Sequence, residues 1–232
     1  MRPLSVTIQA TLVATGLLYG SLPAVAQAPG IPVLNSGFAR GFTLASMVGF
    51  ANPAAGDGTG LSVSGVAGFR RIAFGGFVSG LSGSSLSDER VLARGATVAI
   101  KLAGGPLVPV GITLMTGAGY FAPRNSGSTN WRVPVGLGIS WTLPQPVVAL
   151  RFWASPRLDY SRERGPDPLA TPVPNGSVPL RTMTQSDFGL SGGINFGFLN
   201  GFGLDVAVDR LFTSTTDGKP ALLGLGASYR FE

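Results

Sequence analysis

Acidic side chains are the residues of this sequence that could carry acid–base chemistry, because it holds no histidine and no cysteine. Without histidine, the usual general base for activating a serine or a water molecule is missing, and without cysteine there is no thiolate nucleophile. Asp187, Asp205 and Asp209 could form a carboxylate-only acid–base site, since paired acids can transfer protons without histidine. No nucleophile–base pair of a known kind accompanies them, so we predict that the protein is not an enzyme.

Metal and nucleotide sites are not indicated either. No cluster of residues has the ligand composition that a protein-bound metal requires. Gly192, Gly193 and Gly197 are spaced like part of a phosphate-binding loop, but they lie in strand-like sequence with no helix after them. Lysine and arginine outnumber the acidic residues 17 to 11 but form no run, so no nucleic-acid surface is expected. We predict no catalytic, cofactor-binding or metal site.

Hydrophobic residues recur at every second position, which is typical of a β-strand with one apolar face. In the clearest segment the apolar positions are Trp131, Val133, Val135, Leu137, Ile139 and Trp141. About eleven residues, rising about 3.3 Å each and tilted by about 40°, cover about 25 Å, the height of the apolar band of a membrane barrel. A strand of a soluble sandwich rarely carries tryptophan at both ends. The pattern therefore indicates a membrane-crossing strand.

Alternation of this kind predicts an all-β fold of ten strands. They span 38–50, 61–69, 72–80, 94–102, 108–120, 131–141, 148–160, 188–196, 204–212 and 223–231. Short links rich in turn-forming residues alternate with longer polar ones, which is typical of an up-and-down antiparallel transmembrane β-barrel. Eight strands is the alternative, if two weak segments near the N-terminus merge or stay outside the barrel.

The first residues have the features of an export signal. Arg2 supplies a positive start, residues 12–22 are mostly apolar, and Ala26-Gln27-Ala28 is a small-residue cleavage site. The apolar stretch is too short and too interrupted for a spanning helix, which needs about 20 apolar residues. We predict a cleavable signal peptide at 1–28 and a barrel domain at 29–232.

Charged residues fall on the faces of the predicted strands that point into the barrel. We expect them to pair across the lumen, because an unpaired charge in so narrow a space costs much desolvation energy; the alternative is an ion-selective constriction. Small inward residues such as Gly136, Gly138 and Gly224 leave room for a narrow water-filled passage or permit tight curvature. The predicted lumen network is Lys101, Arg132, Arg151, Arg157, Asp159, Asp187, Asp205, Asp209 and Arg230.

Aromatic residues cluster near the ends of the predicted strands, where the two surfaces of a membrane would lie. The girdle at the end with the long links is predicted to contain Phe50, Tyr120, Trp131, Tyr160, Phe188 and Phe212. The girdle at the opposite end is predicted to contain Trp141, Phe196 and Phe231.

The last predicted strand, 223–231, alternates between apolar and small residues and ends in Phe231. It resembles the closing strand of Gram-negative outer-membrane barrels, although Glu232 follows the aromatic residue. As a class, the mature chain is similar to small barrels of the OmpX and opacity-protein kind. This resemblance implies recognition by the barrel-assembly machinery and integral residence in the cell outer membrane. It also implies contact with outer-membrane lipids, including lipopolysaccharide.

The sequence therefore predicts a non-enzymatic, monomeric, integral outer-membrane β-barrel with a structural or narrow passive-pore role. An even number of strands places both termini on the periplasmic side. The alternative is a surface adhesion or binding protein that acts through the external loop 161–184, which is rich in proline and charge. We expect neither a plug nor a periplasmic domain, because the predicted barrel uses nearly all of the mature chain.

Overall fold

The computed structural model describes the barrel and a short segment that precedes it. The described residues are 31–33, 35, 40–55, 57–83, 91–105, 108–123, 127–143, 145, 147–166, 179–212 and 220–231. The predicted signal peptide at 1–28 lies outside the described residues and stays a prediction, as does the start of the first strand at Phe38. Within the described ranges, no helix is long and apolar enough to cross a membrane.

The described residues form ten strands and one short 3-10 helix, Pro53–Ala55. The strands are β1 (Gly41–Ala51), β2 (Gly58–Phe69), β3 (Ile72–Gly83), β4 (Val91–Gly105), β5 (Val108–Pro123), β6 (Thr129–Leu143), β7 (Val148–Pro166), β8 (Leu180–Phe198), β9 (Phe202–Phe212) and β10 (Ala221–Phe231).

Each strand pairs antiparallel with its neighbour in sequence, and β1 pairs with β10, so the sheet closes into a barrel. The closing register runs from Phe42 opposite Phe231 to Ala51 opposite Leu222. Closure leaves the barrel wall without a free edge, and its backbone groups find partners on adjacent strands, as a chain surrounded by lipid requires. The prediction of ten strands is confirmed, and the eight-stranded alternative is wrong.

The links alternate in length, which gives the barrel two unlike rims. The short-turn rim carries the links 70–71, 106–107, 144–147 and 199–201, together with the start of β1 and the end of β10. The long-loop rim carries the links 52–57, 84–90, 124–128, 167–179 and 213–220. Gly201 has a φ of 84° and donates its N–H to the Phe198 carbonyl at 3.2 Å, which turns the chain sharply between β8 and β9.

The barrel is apolar outside, and its interior combines polar and small side chains with large apolar ones such as Phe77 and Trp153. On β6, Trp131, Leu137 and Trp141 expose 52%, 43% and 49% of their surface, whereas Ser140 exposes 6%. The same alternation of exposed and buried positions runs along β9 and β10. Large hydrophobic side chains thus cover the outer wall, as the period of two predicts.

The predicted loop 161–184 is too long at both ends, because the two strands beside it are longer than expected. β7 continues to Pro166 and pairs there with Leu180, the first residue of β8. The run from Arg162 to Arg164 has no apolar face, so its sequence does not show the alternation of the barrel wall. Backbone pairing with β6 and β8 nevertheless continues through this run. Strand pairing beyond the apolar band needs no apolar face.

A segment before β1 lies inside the barrel, contrary to the expectation that the lumen holds no plug. We call residues 31–33 and 35 the lumen strap. Ile31, Val33 and Asn35 expose 1%, 0% and 0% of their surface. Two apolar clusters contain the strap residues. Ile31 belongs to a cluster with Ala45, Met47, Phe77, Ala93, Trp153 and Ala207, and Val33 to one with Val66, Ala73, Ala99 and Met115.

Candidate functional site

Arg157 lies at the centre of a hydrogen-bonded network inside the barrel and exposes 2% of its surface. Its Nε donates to Oδ2 of Asp159 at 2.8 Å, and one terminal nitrogen donates to Oγ of Ser191 at 2.6 Å. The other terminal nitrogen donates to both carboxylate oxygens of Asp209, at 2.8 and 3.0 Å. Arg132 reaches the shared Asp159 Oδ2 at 3.4 Å. The buried Arg157 and the partly exposed Arg132 are therefore matched by two buried carboxylates.

Glycines on the adjacent strands make space for the Arg157 side chain. Gly136 lies opposite Arg157 on β6, and Gly189 lies opposite it on β8. A Cβ atom at Gly136 would lie 2.7 Å from the Arg157 Cβ, and one at Gly189 would lie 2.6 Å from the guanidinium carbon. Any larger residue at either position would displace the guanidinium from its partners. These inward glycines therefore position a charge.

Asp209 links this network to the lumen strap. Its Oδ2 accepts a hydrogen bond from the backbone N–H of Val33 at 3.0 Å in addition to its bonds with Arg157. Further along the strap, the Asn35 amide donates to Oγ of Ser155 at 3.3 Å. The strap is thus held by one charge-assisted and one neutral hydrogen bond as well as by apolar packing, and charge-assisted bonds are the stronger kind.

Other inward glycines make space for the strap itself. A Cβ atom at Gly224 would lie 2.8 Å from the Pro32 ring, and one at Gly138 would collide with the side chain of Asn35. From the sequence, such glycines indicated either a water-filled passage or tight curvature. Where the structure describes their surroundings, Gly138 and Gly224 instead accommodate another segment of the same chain.

A second group of charges lies nearer the short-turn rim. Lys101, Arg151 and Arg230 sit within four residues of that end of their strands and share the inward face with Asp205. Arg151 donates its Nε to Oγ1 of Thr142 at 3.0 Å. Asp205 accepts a hydrogen bond from the Asn195 amide at 3.0 Å. This group carries three cations and one carboxylate, so it is positively charged.

The predicted lumen residues are therefore divided into two groups and do not form one network. Asp187 belongs to neither group, because both of its carboxylate oxygens accept hydrogen bonds from the Gln185 amide at 2.9 Å. Asp187, Asp205 and Asp209 each bind a different partner, so the arrangement does not assemble a site from these carboxylates. Within the described part of the chain, no group of acidic side chains could hold a metal ion.

Sequence reasoning missed several contributors to the network. Ser191 and the Val33 backbone complete the hydrogen bonding of Arg157 and Asp209. Ser191 lies on the same inward-facing side of β8 as Asp187 and Asn195, so the alternation of the strand could have identified it as a member of the network. The strap was missed because no periodicity marks a segment that packs inside a barrel instead of joining its wall.

Aromatic side chains lie on the outer wall near both rims. Of the nine that the sequence singled out, seven are exposed, and Tyr120 and Phe196 are partly exposed. Tyr120 and Trp131 pack with ring centres 5.1 Å apart, and Phe188 and Phe212 do so at 5.8 Å, near the long-loop rim. The prediction for the short-turn rim was incomplete. Further aromatic residues pack there, namely Phe42, Phe152, Phe198, Phe202 and Tyr229.

Taken together, the strand pairing and side-chain orientation define a closed up-and-down β-barrel with an apolar outer wall and an interior that holds both a charged network and two apolar clusters. No protein-family model matches the chain, and no curated protein sequence does.

Several solved structures resemble the barrel at low sequence identity. The N-terminal β-barrel domain of Pseudomonas aeruginosa OprF is 10% identical, with 82% of this chain and 97% of that one covered and a TM-score of 0.37. The outer membrane enzyme PagL is 10% identical over 82% and 99%, with a TM-score of 0.41. Ail, the attachment invasion locus protein of Yersinia pestis, is 13% identical over 83% and 99%, with a TM-score of 0.37. Similarities this low transfer no role, and the architecture rests on the strand pairing of this chain.

Removing the central guanidinium should strongly destabilise the barrel. Arg157→Met leaves the Asp159 and Asp209 carboxylates buried without their main partner, so we expect the free energy of unfolding to fall by about 3–5 kcal/mol. Arg164→Met, an exposed arginine on the same strand, should change it by about 0.5 kcal/mol or less. Denaturant unfolding in lipid vesicles, followed by tryptophan fluorescence, measures both. Equal effects of the two substitutions would contradict the structural role of the network.

Proposed function

We propose that this protein is an integral outer-membrane β-barrel with a structural role, whose lumen is closed by its own lumen strap and the Arg157 network. The observation that carries the proposal is the burial of the strap inside a barrel with an apolar outer wall. The proposal favours the structural role over the narrow passive pore that the sequence left open.

Membrane insertion is supported by the outer wall. Leu137 on β6, Val208 on β9 and Leu225 on β10 expose large apolar side chains on the outer wall. A continuous apolar surface of this kind is unfavourable in water. Every wall strand pairs on both sides within the barrel, so lipid would meet no open sheet edge there. Because barrels of this type carry their longer loops outside the cell, we propose that the short-turn rim and both chain ends face the periplasm.

Outer-membrane lipids, including lipopolysaccharide, are the partners that this surface would contact, and the barrel-assembly machinery is the proposed partner during insertion. The aromatic girdles support the first part, because aromatic side chains favour the boundary between hydrocarbon and headgroups. The alternating last strand, ending in Phe231, supports the second.

A charge placed on the outer wall tests insertion. Leu137→Arg lies near the middle of β6 and should lower the free energy of unfolding in lipid vesicles by about 2–4 kcal/mol, because arginine is costly at the membrane centre. Val147→Arg, in a link at the short-turn rim, should cost about 1 kcal/mol or less, because it lies near the interface. If both substitutions have the same effect in vesicles, the outer wall is not facing hydrocarbon.

Closure of the lumen is supported by the way the strap reaches around the barrel. The Arg157 network occupies only one side, since its members come from the neighbouring strands β6 to β9. The clusters around Ile31 and Val33 contain residues from β1 to β5, β7 and β9. The network and the strap together therefore involve every side of the lumen between β1 and β9.

Conductance measurements in planar bilayers test closure. The intact protein should show no discrete channel openings, because its lumen is filled. A variant lacking residues 29–39 should show small openings, since removal of the strap leaves a gap between the Arg157 network and the apolar side chains of β1 to β5. The exposed substitution Arg164→Met should stay silent. Discrete openings by the intact, correctly folded protein would reject the closed lumen and favour the passive pore.

A second candidate role, surface binding, is favoured by the extension of β7 and β8 beyond the barrel. Both strands have 19 residues, compared with 11 in β9, and β8 pairs with β9 only from Phe188 onward. Residues 180–187 of β8 therefore extend past the described end of β9, and a segment that projects beyond a barrel wall can present a surface to another protein.

Shortening the extension of β7 and β8 beyond the barrel, which we call the β7–β8 ribbon, tests the second candidate role. A variant lacking residues 164–182, with a two-residue turn that joins the paired residues Glu163 and Met183, should fold normally, because the deleted pairs lie beyond the wall that β9 completes. If the ribbon is a binding surface, attachment of bacteria that carry this variant to host cells or matrix proteins should fall relative to bacteria carrying the intact protein. Unchanged attachment at equal surface abundance would argue against this role.

A further inference from the structure

Positive charges are concentrated at the short-turn end of the lumen. We call Arg40, Arg71, Lys101, Arg151 and Arg230 the basic mouth. Lys101 lies within electrostatic range of Arg40, Arg71 and Arg151, and Arg151 lies within range of Arg230. Like charges repel one another, so Lys101 is repelled by three cations, whereas Arg151 is attracted by Asp205 and repelled by Arg230. The arrangement therefore has the electrostatics of an anion site.

The inward members of the basic mouth surround the lumen. Lys101, Arg151 and Arg230 belong to β4, β7 and β10. Two strands separate β4 from β7 and β7 from β10, and three separate β10 from β4. Their side chains therefore approach the lumen from three directions. Lys101 and Arg151 are partly exposed, whereas Arg230 is 9% exposed. An anion that enters from this rim would meet all three.

Acidic residues do not balance the basic mouth. Among the described residues at this end, Asp205 is the one carboxylate; it attracts Arg151, and its Oδ2 accepts a hydrogen bond from the Asn195 amide. Glu232, which follows β10 in the sequence, would raise the number of carboxylates to two against five cations. The Arg157 network differs, because there two arginines meet two aspartates. The imbalance is thus specific to one end of the lumen.

We infer that the basic mouth is a binding site for a phosphate-bearing anion. Arginine presents a planar set of donors that matches phosphate oxygens, and lysine adds a compact charge that phosphate also accepts. The hydroxyl of Thr142, which holds Arg151 at 3.0 Å, orients one of these donors. The inference goes beyond the proposed structural role and does not depend on closure of the lumen.

Tripolyphosphate is a suitable probe, and its binding to the full-length folded protein in an uncharged detergent can be measured by calorimetry. The intact protein should bind it saturably, and added salt should weaken the binding, because screening weakens attraction between partly exposed charges. Lys101→Gln combined with Arg230→Gln should reduce the affinity about tenfold or more, since two of the donors are lost. The single Lys101→Gln variant should show a smaller loss in the same direction.

The matched control removes two positive charges from the outer wall. Arg94→Gln combined with Arg210→Gln alters side chains that lie over the rings of Tyr120 and Phe212, away from the lumen. Its affinity for tripolyphosphate should stay within about twofold of the intact protein, because distant exposed charges contribute little. Heat-modifiable migration on a gel confirms that each variant is folded before titration.

Two outcomes would overturn the inference: no saturable binding by the intact folded protein, or an equal loss of affinity in the outer-wall control. A further titration in lipid nanodiscs identifies the source of the phosphate. If phosphatidylglycerol in the nanodisc weakens tripolyphosphate binding relative to phosphatidylcholine, the site takes a lipid headgroup. If both lipids leave the binding unchanged, the site takes a soluble phosphate compound. The conductance experiment has a separate readout, so either proposal can fail alone.

Discussion

The buried guanidinium of Arg157 is the interaction on which the arrangement of the lumen depends. A charge removed from water is tolerated only when its hydrogen-bonding groups find partners, and here Asp159, Ser191 and Asp209 supply them. The need for space around the guanidinium accounts for Gly136 and Gly189 on the adjacent strands. Asp209 then extends the arrangement to the lumen strap through the N–H of Val33. One buried charge thus constrains residues on four strands and a segment outside the wall.

Much of the barrel could be predicted from the sequence because a strand between lipid and lumen must alternate. That constraint explains why the strand number, the antiparallel order and the outward placement of Leu137 follow from a period of two. Alternation is no longer required where a strand extends beyond the membrane. The run from Arg162 to Arg164 needs no apolar face, so its sequence resembles a loop although its backbone is paired.

The candidate site was less predictable than the wall. The alternation of inward and outward positions along each strand could identify which charged side chains point into the lumen. It contains no information about which of them contact each other across strands. Asp187 shares the inward parity of the network and yet bonds to Gln185 on its own strand. The strap could not be predicted from the sequence for a different reason. Ile31 and Val33 belong to no strand, so only their packing shows that they lie inside the barrel.

The proposed closure of the lumen bears on what the basic mouth can do, although binding of an anion there does not require it. In an open channel, a ring of cations would select the ions that pass, and binding would have to be weak for them to leave. If the strap and the Arg157 network close the lumen as proposed, the same cations are reached from the short-turn rim. An anion held there can form stable bonds with Arg151 and Arg230 because nothing requires its passage. The charge-balanced centre and the unbalanced mouth therefore favour binding at this rim over transport through the barrel.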